Sequence, residues 1–176
     1  MEIHPFDIDA LAAIRANVQA FIEQAGRDYD RKTLKVLEIG PTDQLPTAQY
    51  FPQSTIETLD IAEGCTYKAD ICRDNRNFLY SNSFGLVICT EVLEHTKDPF
   101  AAVREIFRIL KPGGVLLASS PLNFRIHGPL PDCWRFTEHG WRVLLADFED
   151  IEIKELTSDR WLFPIHYTVK AKKIQW

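Results

Sequence analysis

A chain of 176 residues that is 45% hydrophobic and 26% charged suits one globular domain with one sizeable core. Its formal net charge of -5 argues against a basic face that holds nucleic-acid phosphates, and its only dense basic stretch, Lys170, Lys172 and Lys173, reads as a solvated strand end. Cys65, Cys72, Cys89 and Cys133 form no CxxC pair and no histidine pair stands at zinc-finger spacing, so spacing points to no metal site.

A reducing cytoplasm is the expected compartment, with Cys89 buried in an apolar run. The opening residues carry no cationic and then apolar signal region, and no apolar run approaches the roughly 20 residues of a membrane span.

In chain order, Ile8, Leu11, Ile14, Val18, Phe21 and Ile22 recur mostly every third or fourth position and predict an amphipathic helix over 7–25, capped by Asp7 or Asp9 and ended by Gly26. A strand over 34–39 stops at Gly40-Pro41. Between Pro46 and Pro52 any helix must be brief. Strands follow at 56–59, ending in Asp60, and at 66–69, ending in Asp70. The segment 84–89 is apolar with little alternation, as expected of a strand covered on both faces.

Asp98-Pro99 starts a helix with a capping carboxylate and a proline at its first position, and Phe100, Val103, Ile106, Phe107 and Leu110 form its apolar stripe. Lys111-Pro112-Gly113-Gly114 ends that helix and leads into a strand at 115–119. The segment 121–136 is irregular. A helix at 138–146 and strands near 151–157 and 165–172 complete the chain. Strands alternating with helices predict a mainly parallel sheet with helices on both faces.

Ligands in such sheets bind beyond the carboxyl ends of the strands. Those ends carry Glu38, Gly40, Asp60, Asp70, Thr90 and Glu91. Acidic groups at consecutive strand ends suit a ligand with ribose hydroxyls, an adenine amino group and an ammonium, although any one of them also reads as a polar residue where strand meets loop. No GxGxxG is present, which counts against a nicotinamide dinucleotide.

Val36-Leu37-Glu38-Ile39-Gly40 resembles the first motif of class I S-adenosylmethionine-dependent methyltransferases. Glu91-Val92-Leu93-Glu94-His95, Asp98-Pro99 and Glu105-Ile106-Phe107-Arg108-Ile109-Leu110-Lys111-Pro112-Gly113-Gly114 are similar to that family's stretch from strand four to strand five, and Tyr167-Thr168-Val169-Lys170-Ala171-Lys172 resembles its closing strand. The resemblance covers about residues 34–173, with 1–33 as a helical extension.

It implies a Rossmann-like, seven-stranded, mostly parallel α/β sheet of order 3-2-1-4-5-7-6, its last strand antiparallel, with S-adenosyl-L-methionine as cofactor. Position by position, it implies Glu38 and Gly40 beside the methionine part, Asp60 on the ribose with Ile61 on the adenine, Asp70 and Ile71 at the adenine edge, and Thr90 and Glu91 beneath the sulfonium. Glu94 fits the start of a helix, and His95 beside it a structural role. The family's first motif usually carries three glycines at alternate positions; here Thr42 and Gln44 replace two of them, which keeps open a regulatory, cofactor-binding protein with little turnover.

The stretch 121–137, with His127, Pro129, Pro131, Asp132, Trp134, Arg135, Phe136 and Thr137, resembles the His-x-x-Pro-x-Asp-x-Trp-Arg-Phe-Thr segment of a bacterial methyltransferase subgroup. Long loops rich in titratable and aromatic groups are more often functional than plain connectors. His127 leads as a proton acceptor, with Asp132 second; the competing reading is an Asp132–Arg135 pair that fixes the loop while Trp134 anchors it. With no Asn/Asp-Pro-Pro-Tyr sequence and an acidic balance, a small-molecule or sugar-like acceptor is expected, with neither nucleic acid nor membrane as partner.

Overall fold

The computed structural model describes residues 4–43 and 45–175. Helix α1 spans Pro5–Tyr29, and strands β1 Lys35–Ile39, β2 Thr55–Asp60, β3 Tyr67–Lys68 and β4 Phe84–Thr90 follow. Helix α2 (Pro99–Ile109), strand β5 (Leu110–Pro121), helix α3 (Glu138–Leu144), and strands β6 (Phe148–Leu156) and β7 (His166–Lys173) complete the order. The sheet order is β3-β2-β1-β4-β5-β7-β6, with β7 antiparallel to both neighbours and the other pairings parallel. That is the expected doubly covered, Rossmann-like sheet.

Two cores sit on its two faces because successive strand side chains point to opposite sides. Leu37, Ile39, Val87, Cys89, Leu116 and Ala118 face α2 and α3, where Ile106 and Trp141 are fully buried. Val36, Leu86, Ile88, Val115 and Leu117 face α1, which meets them with Ala10, Ile14, Val18, Ile22 and Ala25. The N-terminal helix is thus the cover of one sheet face. No helix among the described residues is long and apolar enough to cross a membrane.

Local expectations hold at α2, where Asp98 caps through Ala101 N and proline opens the helix, and between Pro46 and Pro52, where only a 3-10 turn at Thr47–Tyr50 forms. Three others are corrected. His4, not Asp7 or Asp9, caps α1, its side chain accepting from Phe6 N ahead of Pro5. Gly26 does not end α1; it is buried inside it because a Cβ there would stand 2.3 Å from the Tyr50 carbonyl oxygen. Lys173 is not solvated: its ammonium is buried and donates to Asn82 Oδ1 and Leu110 O, both at 2.8 Å.

Gly26→Ala sets two effects against each other. Helix propensity favours Ala by about 1 kcal/mol. Overpacking against rigid backbone costs about 1–3 kcal/mol. The expected net result in urea unfolding is a lower midpoint, and a raised one would show that the 47–50 turn gives way freely.

Candidate active site

Strand register aligns the residues expected at the cofactor. Glu38 stands opposite both Thr58 and Ile88, so two residues further Gly40, Asp60 and Thr90 come level across the sheet, and Thr90 pairs with Ser119. Gly40 donates its N–H to Leu59 O at 2.9 Å and turns the chain with φ +67. A Cβ there would lie 2.6 Å from Val92 Cγ2, so both the conformation and the space call for glycine. That same point is 4.0 Å from Asp60 Oδ2. Asp60 Oδ1 accepts from Ala62 N at 2.7 Å, which turns the carboxylate and leaves Oδ2 on the Gly40 side.

Ile61 is 72% exposed beside it, an apolar platform at a strand end. Asp70 accepts from Cys72 N at 2.8 Å, and Ile71 turns its side chain into the core. Glu38 is buried and accepts from the Thr47 hydroxyl at 2.6 Å; burial raises its carboxyl above the usual range, partly opposed by that bond. After Gly40 the chain turns through Leu45 N donating to Thr42 O at 3.1 Å, with Thr42 and Asp43 exposed. Gln44 lies outside the described residues.

Glu91 follows β4 with φ +55, a left-handed backbone that a non-glycine residue adopts at some cost. Its N–H donates to Ser119 O at 3.2 Å, and its Oε1 accepts from Ser119 Oγ at 2.7 Å. The same oxygen lies 2.7 Å from His166 Nε2, while His166 Nδ1 lies 3.1 Å from Asn17 Nδ2. An amide nitrogen only donates, so Nδ1 accepts and Nε2 carries the proton toward Glu91. His166 is fully buried at the start of β7, and this chain of polar contacts joins α1, β7, β4 and β5. Sequence reasoning passed over it: a lone histidine at the edge of an apolar strand gives no spacing signal.

The segment 122–137 folds over the same end of the sheet. Leu122 N donates to Ile165 O and Asn123 Nδ2 to Pro164 O, at 2.8 and 2.7 Å. Further on, Cys133 N and Trp134 N both donate to Glu94 O, and Trp134 Nε1 donates to Thr96 O at 2.9 Å. Arg135 grips both oxygens of Asp132, at 2.5 and 2.7 Å, and adds a bond to Arg125 O at 3.0 Å. The expected Asp132–Arg135 pair and the Trp134 anchor are both present. Arg135 holds the Asp132 carboxyl well below the usual range, an effect larger than the opposing desolvation.

Asp132 Oδ2 also accepts from His127 N at 2.9 Å and lies 3.1 Å from His127 Nδ1. Burial lowers the pKa of the His127 imidazole, with the Asp132 charge opposing and His95 adding to the shift.

Glu94 does not cap a helix. It sits in a 3-10 turn, Leu93–His95, with its side chain wholly buried beneath the loop. Its Oε1 is 3.9 Å from Nε2 of both His95 and His127, whose rings meet edge to face with centroids 4.8 Å apart. Burial, and then repulsion from Glu91, push its carboxyl well above the usual range. Sequence separation hid this cluster, because His127 arrives from a loop beyond β5.

The family model for a methyltransferase domain matches residues 9–174. The chain belongs to the methyltransferase domain family. The domain is 50% identical over 40 residues to the ubiquinone biosynthesis O-methyltransferase of Xanthomonas oryzae pv. oryzae, covering 23% of this chain and 17% of that protein. The chain therefore spans about a sixth of the length of this curated relative. A SAM-dependent methyltransferase from Archaeoglobus fulgidus superposes with a TM-score of 0.71 at 17% identity, over 90% of this chain and 94% of that one. N-methyltransferase NodS from Bradyrhizobium japonicum WM9 gives 0.66 at 15% identity, over 92% and 97%. At these identities the likeness is one of fold.

The Asp132–Arg135 pair gives this methyltransferase domain an acid-sensitive component of stability. A depressed folded-state pKa means that the contribution is complete above the ordinary carboxylate range of about 4 and is lost as pH falls toward the depressed value. Asp132→Asn is expected to cost about 1.5–3 kcal/mol at pH 7, and the gap to the parent should shrink at pH 3. Urea unfolding at both pH values checks this; a gap independent of pH would contradict it.

Proposed function

We propose that this domain binds S-adenosyl-L-methionine along the carboxyl edge of its sheet and transfers a methyl group to a small-molecule or sugar-like acceptor. The observation that carries this reading is the level line of Gly40, Asp60 and Thr90, with Asp60 Oδ2 left without a backbone partner beside a glycine that admits no side chain. In this reading Glu38 and Gly40 border the methionine part. Asp60 accepts from the ribose diol and Ile61 packs on the adenine. Asp70 and the main chain of Ile71 form the adenine edge, and Thr90 and Glu91 line the floor beneath the sulfonium.

The cofactor, when bound, supplies a methyl group already activated on sulfur. The protein then has to align the acceptor, exclude water and take a proton where the acceptor carries one. His127 is the proposed proton acceptor, because burial favours its neutral form and its ring stands under the loop that closes over the strand ends. Asp132, the second candidate, has both oxygens committed to Arg135 and is better suited to orienting His127. We assign residues 34–173 to the cofactor-binding core and 1–33 to an N-terminal extension whose helix, Pro5–Tyr29, covers one face of it. A cytoplasmic location, and no nucleic-acid or membrane partner, remain our reading of the charge and cysteine content.

One observation favours a second reading, a cofactor-binding regulator with little turnover: Pro41, Thr42 and Asp43 place side chains after Gly40 in a turn closed by Leu45 N. S-adenosylhomocysteine separates the alternatives. It is expected to bind and raise Tm by mass action. Asp60→Ala should weaken that binding by about 1–3 kcal/mol, measured by calorimetry. Unchanged affinity in a folded variant would remove Asp60 from the site. His127→Ala should lower methyl transfer while S-adenosylhomocysteine affinity stays near that of the parent. A joint loss would instead assign the loop to support of the cofactor, and binding without turnover in the parent would favour the regulator.

A further inference from the structure

We propose that Glu94, His95 and His127 form a binding site for one divalent first-row transition cation. The proposal requires neither the cofactor nor turnover, and it competes with the proton-accepting role given to His127 above.

The first observation is an orphan. The Glu94 side chain has no exposure, and neither carboxylate oxygen meets a hydrogen-bond partner of good geometry among the described residues. Buried polar groups are almost always paired, and an unpaired carboxylate is among the costliest exceptions. A carboxyl in that setting calls for a positive charge or a proton donor beside it. The Arg135 guanidinium does not fill that place, because its bonds go to Asp132 and to main-chain oxygens.

The second observation is what surrounds the orphan. One carboxylate oxygen and two imidazole nitrogens lie within 4.8 Å of one another, with Glu94 Oε1 3.9 Å from each Nε2. A mixed set of imidazole and carboxylate ligands suits zinc and its neighbours. Bonds of about 2.0–2.1 Å to a tetrahedral ion put ligand atoms about 3.4 Å apart, so the cluster has to close by about 0.5–1.4 Å. Rotation of two imidazoles supplies that more easily than backbone movement.

The third observation concerns the far side of each ring. His95 Nδ1 lies 3.0 Å from the Pro131 carbonyl oxygen, which only accepts, so Nδ1 bears the proton and Nε2 presents its lone pair on the Glu94 side. His127 Nδ1 lies 3.1 Å from Asp132 Oδ2, though not aligned as a hydrogen bond. A carbonyl behind one imidazole and a carboxylate behind the other are the kinds of outer partner that metal-bound histidines use, the first bonded here and the second within reach once the His127 ring turns.

The two histidine side chains are 13% and 19% exposed, so solvent reaches the cluster from their side while Glu94 seals the other. Three protein ligands leave a fourth position for water or an oxygen-bearing acceptor, as in catalytic rather than structural zinc sites. An ion here and a proton on His127 exclude each other, because both use the Nε2 lone pair.

The test uses the full chain freed of metal by chelator and dialysis, then titrated with Zn2+ by calorimetry and with Co2+ by visible absorption. One ion per chain with a dissociation constant on the order of micromolar or tighter is expected. Glu94→Gln, His95→Ala and His127→Ala should each weaken it more than about tenfold, and Asp132→Asn by about 10–100-fold. His139→Ala, at an exposed position outside the cluster, should leave it unchanged. If Glu94→Gln fails to fold, the two histidine variants carry the test. Absence of stoichiometric binding, or equal affinity in the parent and the histidine variants, overturns the proposal.

Discussion

Strand β1 is hydrogen-bonded on both edges, to β2 and β4, and buries side chains on both faces. A shift of one residue in its register would exchange Val36 and Leu37 between two cores, one packed on α1 and the other on α2. That penalty fixes where β1 ends relative to its neighbours. Gly40, Asp60 and Thr90 are level for this reason. The residues proposed to hold the cofactor are therefore positioned by the packing of the strands that carry them, and they need few bonds of their own to stay in place. Asp60 spends one oxygen on Ala62 N and keeps the other.

The proposed acceptor side is held differently. The 122–137 segment packs Leu122 and Phe136 on one core and Phe124 on the other, but between them Ile126 and Leu130 are both exposed and bury little apolar surface. Polar contacts fix it: Arg135 to Asp132, Cys133 N and Trp134 N to Glu94 O, Trp134 Nε1 to Thr96 O. Charge-assisted, two-point bonds such as Arg135 to Asp132 restrict angle as well as distance. The result is a loop that delivers His127 to within reach of Glu94 and His95 although α2 and the whole of β5 lie between them in sequence.

The polar network around Glu91 links the two halves. Its carboxylate takes the Ser119 hydroxyl and the His166 imidazole on one oxygen, and His166 leans on Asn17 of α1. Charged and polar groups of this kind stay buried because each finds a partner. Glu94, three residues away, does not, and the contrast between two carboxylates in one motif is what gives Glu94 its interest.

Periodicity and local chemistry made most elements legible in the sequence. Apolar spacing located α1 and α2, Asp98-Pro99 fixed the start of α2, and the acidic strand ends marked the proposed binding edge. These signals are local: they depend on a residue and its neighbours within one or two turns. The misreadings have the opposite origin. Gly26 looked like a helix end, yet its role is to let the Tyr50 carbonyl approach. Lys173 looked solvated, yet Asn82 and Leu110 O receive it. Glu94 looked like a helix-start residue, yet the loop from beyond β5 covers it. The sequence by itself determined the strand and helix segments and which residues stand at the carboxyl edge of the sheet proposed to bind the cofactor, because those follow from period and from what each strand end carries. Only the tertiary structure decided which of them share one space, since the pairing of Glu91 with His166 and of Glu94 with His127 depends on strand order and loop path, and neither leaves a trace in spacing.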